Sequence, residues 1–182
     1  MSDFDSIDDA LKDIKDGKMV LVVDDMSEET EGDIIMAAEF VTPGDINFMS
    51  RESRGIIAVA GTSERIEELD LEIIGLKTNT LRGIQFGVTI DAIPGTTTGA
   101  SSKDRATTIL LFSDPSSKSS DFAKPGHVTT LKALDGGILS RAGHTEASVD
   151  ITKLAGLRPA GVLSDTKKCS GSISRDFGCL PS

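Results

Sequence analysis

The sequence predicts an α+β fold, a single domain with a mixed, twisted sheet flanked by helices. Three observations carry that expectation. Apolar runs of strand length are interleaved with segments of helical periodicity along the chain. Some of those runs follow one another like the arms of a hairpin, which disfavours a strict β-α-β repeat. Neither an internal repeat nor a long linker divides the 182 residues, and 38% hydrophobic with 26% charged residues suits one compact core.

The elements are expected in this order. Phe4, Ile7, Leu11 and Ile14 recur at helical spacing, with Gly17 as the stop. Met19 to Val23 is a continuous apolar run and reads as a buried strand, and Ile34 to Ala38 reads as another after an acidic loop. Thr42-Pro43 forms an N-cap and first helical residue, with Ile46 and Met49 inward and Gly55 past the end. Gly55 to Ala60 is a strand, and Thr62 or Ser63 caps a short helix carrying Ile66 and Leu69. Phe86, Val88 and Ile90 alternate with Gly87, Thr89 and Asp91, the pattern of a half-buried strand. Ser101 and Asp104 have capping-box spacing for a helix to about Leu111. Val128 to Ala133 and Ala160 to Leu163 are short strands, and Asp135-Gly136-Gly137 is a turn. Between them a helix over Thr145 to Ala155 is expected to turn Ala147, Ile151, Leu154 and Ala155 to one face.

Charge narrows the partners. Lys and Arg number 19 against 29 Asp and Glu, a formal net charge of −10. That field repels nucleic acid and anionic membranes, so neither is expected as a partner. With no Trp and no Tyr, base-stacking platforms are nearly absent. An anionic substrate must then be met by a local cationic cluster or a metal. No run of 18 apolar residues exists, and the acidic, amphipathic start is unlike a signal or transit peptide, so the expected address is the cytoplasm. Cys169 and Cys179 form no CxxC pair and read as plain tail residues.

Four polar segments exceed what a plain fold requires. Glu28-Glu29-Thr30-Glu31-Gly32-Asp33 is either a solvated turn or a site for a hard divalent cation, which takes carboxylate oxygens. Gly95 to Arg105, rich in glycine and hydroxyls, is either an anion cradle or simply a capped helix start; it lacks the Walker spacing. Lys124-Pro125-Gly126-His127 is a rigid turn presenting an imidazole. Arg141-Ala142-Gly143-His144-Thr145-Glu146 places a cation, a histidine and a hydroxyl at a helix N-terminus, where free N–H groups and the dipole favour a phosphate. The chain has only two histidines, and both follow a glycine in these segments. A loop histidine is commonly just solvated, so their shared setting is suggestive only in company.

In this order the segments resemble 3,4-dihydroxy-2-butanone 4-phosphate synthase, the lyase of riboflavin biosynthesis. The resemblance runs from about Ile7 to Arg175. It rests on Val22 to Asp25, Glu29 to Asp33, Thr97-Thr98-Gly99, Asp104 to Thr108, Lys124 to Val128, Gly136-Gly137, Arg141 to Glu146, Leu154 to Gly156 and Pro159 to Val162. It implies conversion of D-ribulose 5-phosphate to L-3,4-dihydroxy-2-butanone 4-phosphate and formate, with Mg²⁺ or Mn²⁺, in a homodimer whose active sites lie at the subunit interface. It implies Glu29 and His144 as metal ligands, Asp33 in substrate contact and proton transfer, and His127 as a catalytic histidine. Arg141 and Thr145 would hold the phosphate with the helix N-terminus, and Glu28, Ala142, Gly143 and Asp165 fall at further substrate-binding positions.

The match has departures. Where the family usually carries Arg ahead of its acidic-loop glutamate, this chain has Glu28; at about 4 Å and an effective dielectric near 20, one charge pair is worth roughly 4 kcal/mol before screening. The family's catalytic glutamate falls on Asp165, one methylene shorter, and a shift of about 1 Å can cost on the order of 100-fold in rate. A cysteine common in the family is Ala58 here. The family also continues beyond the Gly-Ser-Ile-Ser-Arg position, whereas residues 176–182 end this chain. One domain over 1–182 is expected, either short of the family's C-terminal segment or a natural short form. Glu28 and Asp165 motivate a second reading, a weakly active or non-catalytic paralogue that binds a sugar phosphate, a metal or a partner subunit.

Overall fold

Alternation of apolar residues along the strands gives the sheet two buried faces, each covered by helices. The computed structural model describes residues 5–23, 32–74 and 83–166. Its strands are β1 (Val20–Val23), β2 (Gly32–Ala37), β3 (Arg54–Gly61), β4 (Gln85–Ala92), β5 (Phe122–Lys132) and β6 (Ala160–Thr166). They lie in the order β1-β2-β6-β3-β5-β4. Among the described residues only β3 and β5 pair in parallel, and the other neighbouring strands pair antiparallel. The mixed sheet of the α+β expectation is therefore present.

The helices are α1 (Ile7–Lys15), α2 (Pro43–Glu52), α3 (Ser63–Glu68), α4 (Ser102–Ser113) and α5 (His144–Leu154). On one face Ile34, Met36, Ile57, Val59 and Val162 pack against Ile46 and Met49 of α2, Ile66 of α3, and Ile109 and Phe112 of α4. Burying one such side chain contributes about 1.5–3 kcal/mol, so this larger core anchors the sheet. On the other face Ile35, Ala58, Ala60, Leu131 and Leu163 meet Val149 of α5, and Ile14 of α1 packs with Ala37 and Ala155. Ser6, Thr42, Thr62 and Ser101 cap the first four helices, each accepting a backbone N–H, and the last three are the starts expected from the sequence.

Several expectations need correction. The buried side of α5 is Thr145, Glu146, Ser148, Val149 and Thr152, whereas Leu154 is 69% exposed. Apolar spacing misleads there because the hydroxyls are satisfied within the helix: Ser148 donates to the Thr145 carbonyl and Thr152 to that of Val149. The alternation expected in β4 breaks between Gly87, opposite Thr130, and Ile90, opposite Val128. One extra residue on β4 reverses the facing, so Phe86 sits over the α5 face while Ile90 enters the larger core. Strand β5 begins at Phe122 and not Val128, and Lys124 to His127 form an outward bulge between the Asp91–Ala123 and Ile90–Val128 pairs. Gly55 is part of β3 and does not end α2, which is capped by Ser53. Phe4, the acidic residues before Gly32, and both cysteines lie outside the described residues.

Candidate active site

Strand alternation sends Asp33 of β2 and Asp165 of β6 to the same face, and the ladder register sets them directly opposite each other. Asp33 is buried, 3% exposed, and its Oδ1 has no hydrogen-bond partner among the described residues. Asp165 is exposed near the end of β6. Gly55 of β3 passes so close that a Cβ there would lie 2.6 Å from the Asp165 carbonyl oxygen and 2.9 Å from its nitrogen. Only glycine lets β3 run beside Asp165 in this way. Ile56, Ala58, Leu131, Leu163 and Phe86 continue the same face as an apolar floor.

The N-terminal end of α5 forms the opposing wall. Gly143 occupies its N-cap with no side-chain hydrogen bond to the helix, unlike the other four helices. The first backbone N–H groups therefore lack a side-chain acceptor, and the helix dipole adds partial positive charge at the same place. Arg141 precedes it. Its Nη1 donates to both carboxylate oxygens of Glu146, at 2.9 and 2.8 Å, and Glu146 is fully buried. Glu146 also accepts the Leu134 N–H. The guanidinium is thereby held in one orientation at the mouth of the helix. His144 Nδ1 lies 3.4 Å from Asp33 Oδ2, which ties the wall to the floor.

Between wall and floor is a cavity of about 400 Å³. Asp33, Arg141, Ala142, Gly143, His144, Thr145 and Asp165 all line it, so seven of the residues singled out from the sequence converge on one space. Glu28 and Glu29 fall outside the described residues. His127 is not among the cavity's lining residues. It stands on the β5 bulge, its side chain 49% exposed, paired with Asp91 of β4 at 2.7 Å.

The glycine and threonine segment does not cradle an anion. Asp104, at the start of α4, accepts from Thr97 Oγ1 at 2.8 Å and from the Gly99 N–H at 3.1 Å, so a carboxylate of the chain fills that place. Thr97 and these amides hold the Asp104 carboxyl below its ordinary range. The expected capping box is one-sided, because Asp104 is turned to the loop and Ser101 alone caps the helix.

Sequence reasoning missed Asp91 and Glu146 as site residues. Glu146 belongs to the Arg141 to Glu146 segment, and an acidic residue in the first turn of α5, five residues after a cation that precedes the helix, was the available signal. Nothing in the sequence paired Asp91 with His127, since 36 residues separate them and the bulge joins them.

Comparison with known proteins gives one answer. The family model for 3,4-dihydroxy-2-butanone 4-phosphate synthase matches residues 8–178. A riboflavin biosynthesis protein RibBA of Aquifex aeolicus is 53% identical over 94% of this chain, which spans 43% of that relative's length. A bifunctional riboflavin biosynthesis protein of Arabidopsis thaliana, described as chloroplastic, is 48% identical over 94% of this chain and 32% of its own. Among solved structures, a 3,4-dihydroxy-2-butanone 4-phosphate synthase in complex with two magnesium ions superposes with a TM-score of 0.86, at 41% identity over 95% of this chain and 82% of that one. The Candida albicans synthase gives 0.84, at 42% identity, covering 91% and 82%.

Proposed function

Because the chain belongs to the 3,4-dihydroxy-2-butanone 4-phosphate synthase family, we propose that it is the lyase that converts D-ribulose 5-phosphate to L-3,4-dihydroxy-2-butanone 4-phosphate and formate for riboflavin biosynthesis. The observation that carries this reading is the convergence of Asp33, Asp165, His144 and Arg141 on one cavity at the N-terminus of α5.

The residues divide the substrate between them. Arg141, Thr145 and the leading N–H groups of α5 take the phosphate, with Ala142 and Gly143 lining its seat. The carbonyl and hydroxyl end then lies over Asp33 and Asp165. Asp33 Oδ1, buried and without a hydrogen-bond partner among the described residues, accepts a proton from carbon beside the carbonyl and returns it later. Asp165 serves the later proton transfers from its exposed strand end, and His127 supplies an imidazole. The apolar floor keeps bulk water from the reacting carbons.

A divalent cation fits this donor set. The Asp33 carboxylate beside His144, with one oxygen unpartnered among the described residues, is a place where a positive charge is welcome, and oxygen with imidazole nitrogen suits Mg²⁺ or Mn²⁺. His144 and Glu29 would hold it, and Glu28 would stand next to the substrate. Bound there, a divalent cation would supply Lewis-acid polarisation and offset negative charge developing on substrate oxygens.

The reading includes a cytoplasmic homodimer. His127 is half-exposed and away from the cavity of its own chain, which supports a site that receives this imidazole from a second copy. The decisive test is formate release from D-ribulose 5-phosphate by the purified protein with Mg²⁺, with Mn²⁺, and with a chelator. Metal-dependent formate in step with substrate loss is expected. Folded, metal-supplied protein that releases none would overturn the lyase and favour the non-catalytic paralogue.

A further inference from the structure

We propose that Asp91 is a positioning residue for His127, fixing its ring as the Nδ1–H tautomer so that Nε2 carries the free lone pair. The proposal rests on the lyase reading for its place in the reaction, though not for its geometry.

Asp91 grips His127 twice. Its Oδ1 accepts the His127 backbone N–H at 2.9 Å, and its Oδ2 lies 2.7 Å from the ring Nδ1. A carboxylate can only accept hydrogen bonds, so the Nδ1 facing it must carry the proton. In the neutral ring the far nitrogen, Nε2, is then bare and able to take a proton. When it does, the imidazolium that forms is stabilised by the adjacent carboxylate. The ring gains a proton, the substrate keeps the electron pair of the broken C–H or O–H bond, and the Nδ1 proton never leaves the ring.

The surroundings are built to hold Asp91 in place. Its side chain is only 13% exposed, whereas that of His127 is 49% exposed, so the carboxylate is anchored and the imidazole is presented. Gly99 sits against it at φ +84, and a Cβ on Gly99 would collide with both Asp91 carboxylate oxygens. Gly99 is itself fixed through its N–H by Asp104. On the other flank Thr89 accepts the Gly126 N–H, which pins the bulge beside Asp91. The chain Asp104, Gly99, Asp91, His127 thus links the glycine and threonine segment to the imidazole and gives that segment a role other than anion binding.

The test uses the full chain with Mg²⁺. Nitrogen NMR of histidine-labelled protein is expected to show His127 with Nδ1 protonated and Nε2 bare when the ring is neutral. Asp91→Asn substitutes an amide of the same shape whose NH₂ donates to Nδ1, so the proton should move to Nε2 and the two signals should exchange character. The kcat for formate release should fall by about 100-fold or more, with KM changed less than about threefold. In a His127→Gln background the same Asp91→Asn change should alter kcat by less than about twofold, because its effect passes through the ring. A parent ring protonated on Nε2, unaltered ring signals in Asp91→Asn, or losses that simply multiply in the double variant would each overturn the assignment. If the parent releases no formate, the lyase reading falls, and the ring signals alone decide the role of Asp91.

Discussion

Asp33 and Asp165 face each other across the antiparallel β2–β6 ladder, two carboxylates in one register position. Like charges placed directly opposite across strands are unfavourable, by roughly 0.2–1 kcal/mol. Asp33 is nearly closed off from water and Asp165 is exposed, so the pair is also unequal. The arrangement makes sense where a cation and a substrate with exchangeable protons occupy the cavity above.

Asp165→Asn should accordingly separate stability from activity. The isosteric change should move the stability of the metal-free protein by no more than about 1 kcal/mol in urea unfolding. The same change should lower kcat by about 100-fold or more in a formate assay. Asp165→Glu should instead raise kcat, by about 10-fold, since the longer stem reaches farther into the cavity. Equal activity in all three proteins would make Asp165 a bystander.

His144→Ala should cost metal response and little else. The side chain stands at the first position of α5, outside the apolar clusters that hold the sheet and helices together, so circular dichroism should match the parent. Titration with Mn²⁺ should show affinity weakened by about 10-fold or more, and added metal should no longer stimulate turnover. Undiminished metal binding in the variant would remove His144 from the ligand set.

Glu146 is expected to matter for both fold and substrate. Its carboxylate is fully buried against Arg141 and the Leu134 N–H. Glu146→Ala leaves a largely buried guanidinium without its partner and should destabilise the protein by about 3 kcal/mol. Glu146→Gln keeps the volume but loosens the guanidinium, so KM for ribulose 5-phosphate should rise more than kcat falls. Chemical unfolding and steady-state kinetics read the two effects separately.

Asp104 gives a pH prediction. Its hydrogen bonds from Thr97, Gly99 and Ser101 hold the folded carboxyl below its ordinary range. A carboxyl depressed on folding adds stability that is fully present above the unfolded value and is lost as pH falls through the folded one. Asp104→Asn should therefore destabilise the protein at neutral pH and flatten its loss of stability in acid. Denaturant midpoints followed from neutral pH to about pH 2 would show this, and parallel acid limbs for variant and parent would contradict it.

The legible part of this molecule was the part governed by local rules. Thr42-Pro43, Thr62 and Ser101 start helices as read, and Gly17 ends α1. Seven residues of the cavity were named through the family resemblance that short ordered segments carry. What sequence hid were relationships that strand pairing creates: the facing of Asp33 and Asp165, Gly55 against the Asp165 backbone, Asp91 beneath His127. The α5 face was misread for a different reason. Apolar spacing assumes that burial belongs to apolar residues, and Ser148 and Thr152 satisfy their hydroxyls internally instead.

The two sides of β6 carry a last consequence. Val162 and Ser164 belong to one face, with Ser164 bonded to Ser53 beyond α2, while Leu163 and Asp165 belong to the cavity face. A single-residue insertion or deletion just ahead of Val162 would turn all four over together, and one between them would turn over those that follow it, in either case withdrawing the carboxylate and driving a charge toward the larger core. This segment can therefore drift by substitution but not by changes of length. Among natural or engineered variants, β6 should be a stretch where alignment gaps are not tolerated, whatever happens to the identity of its residues.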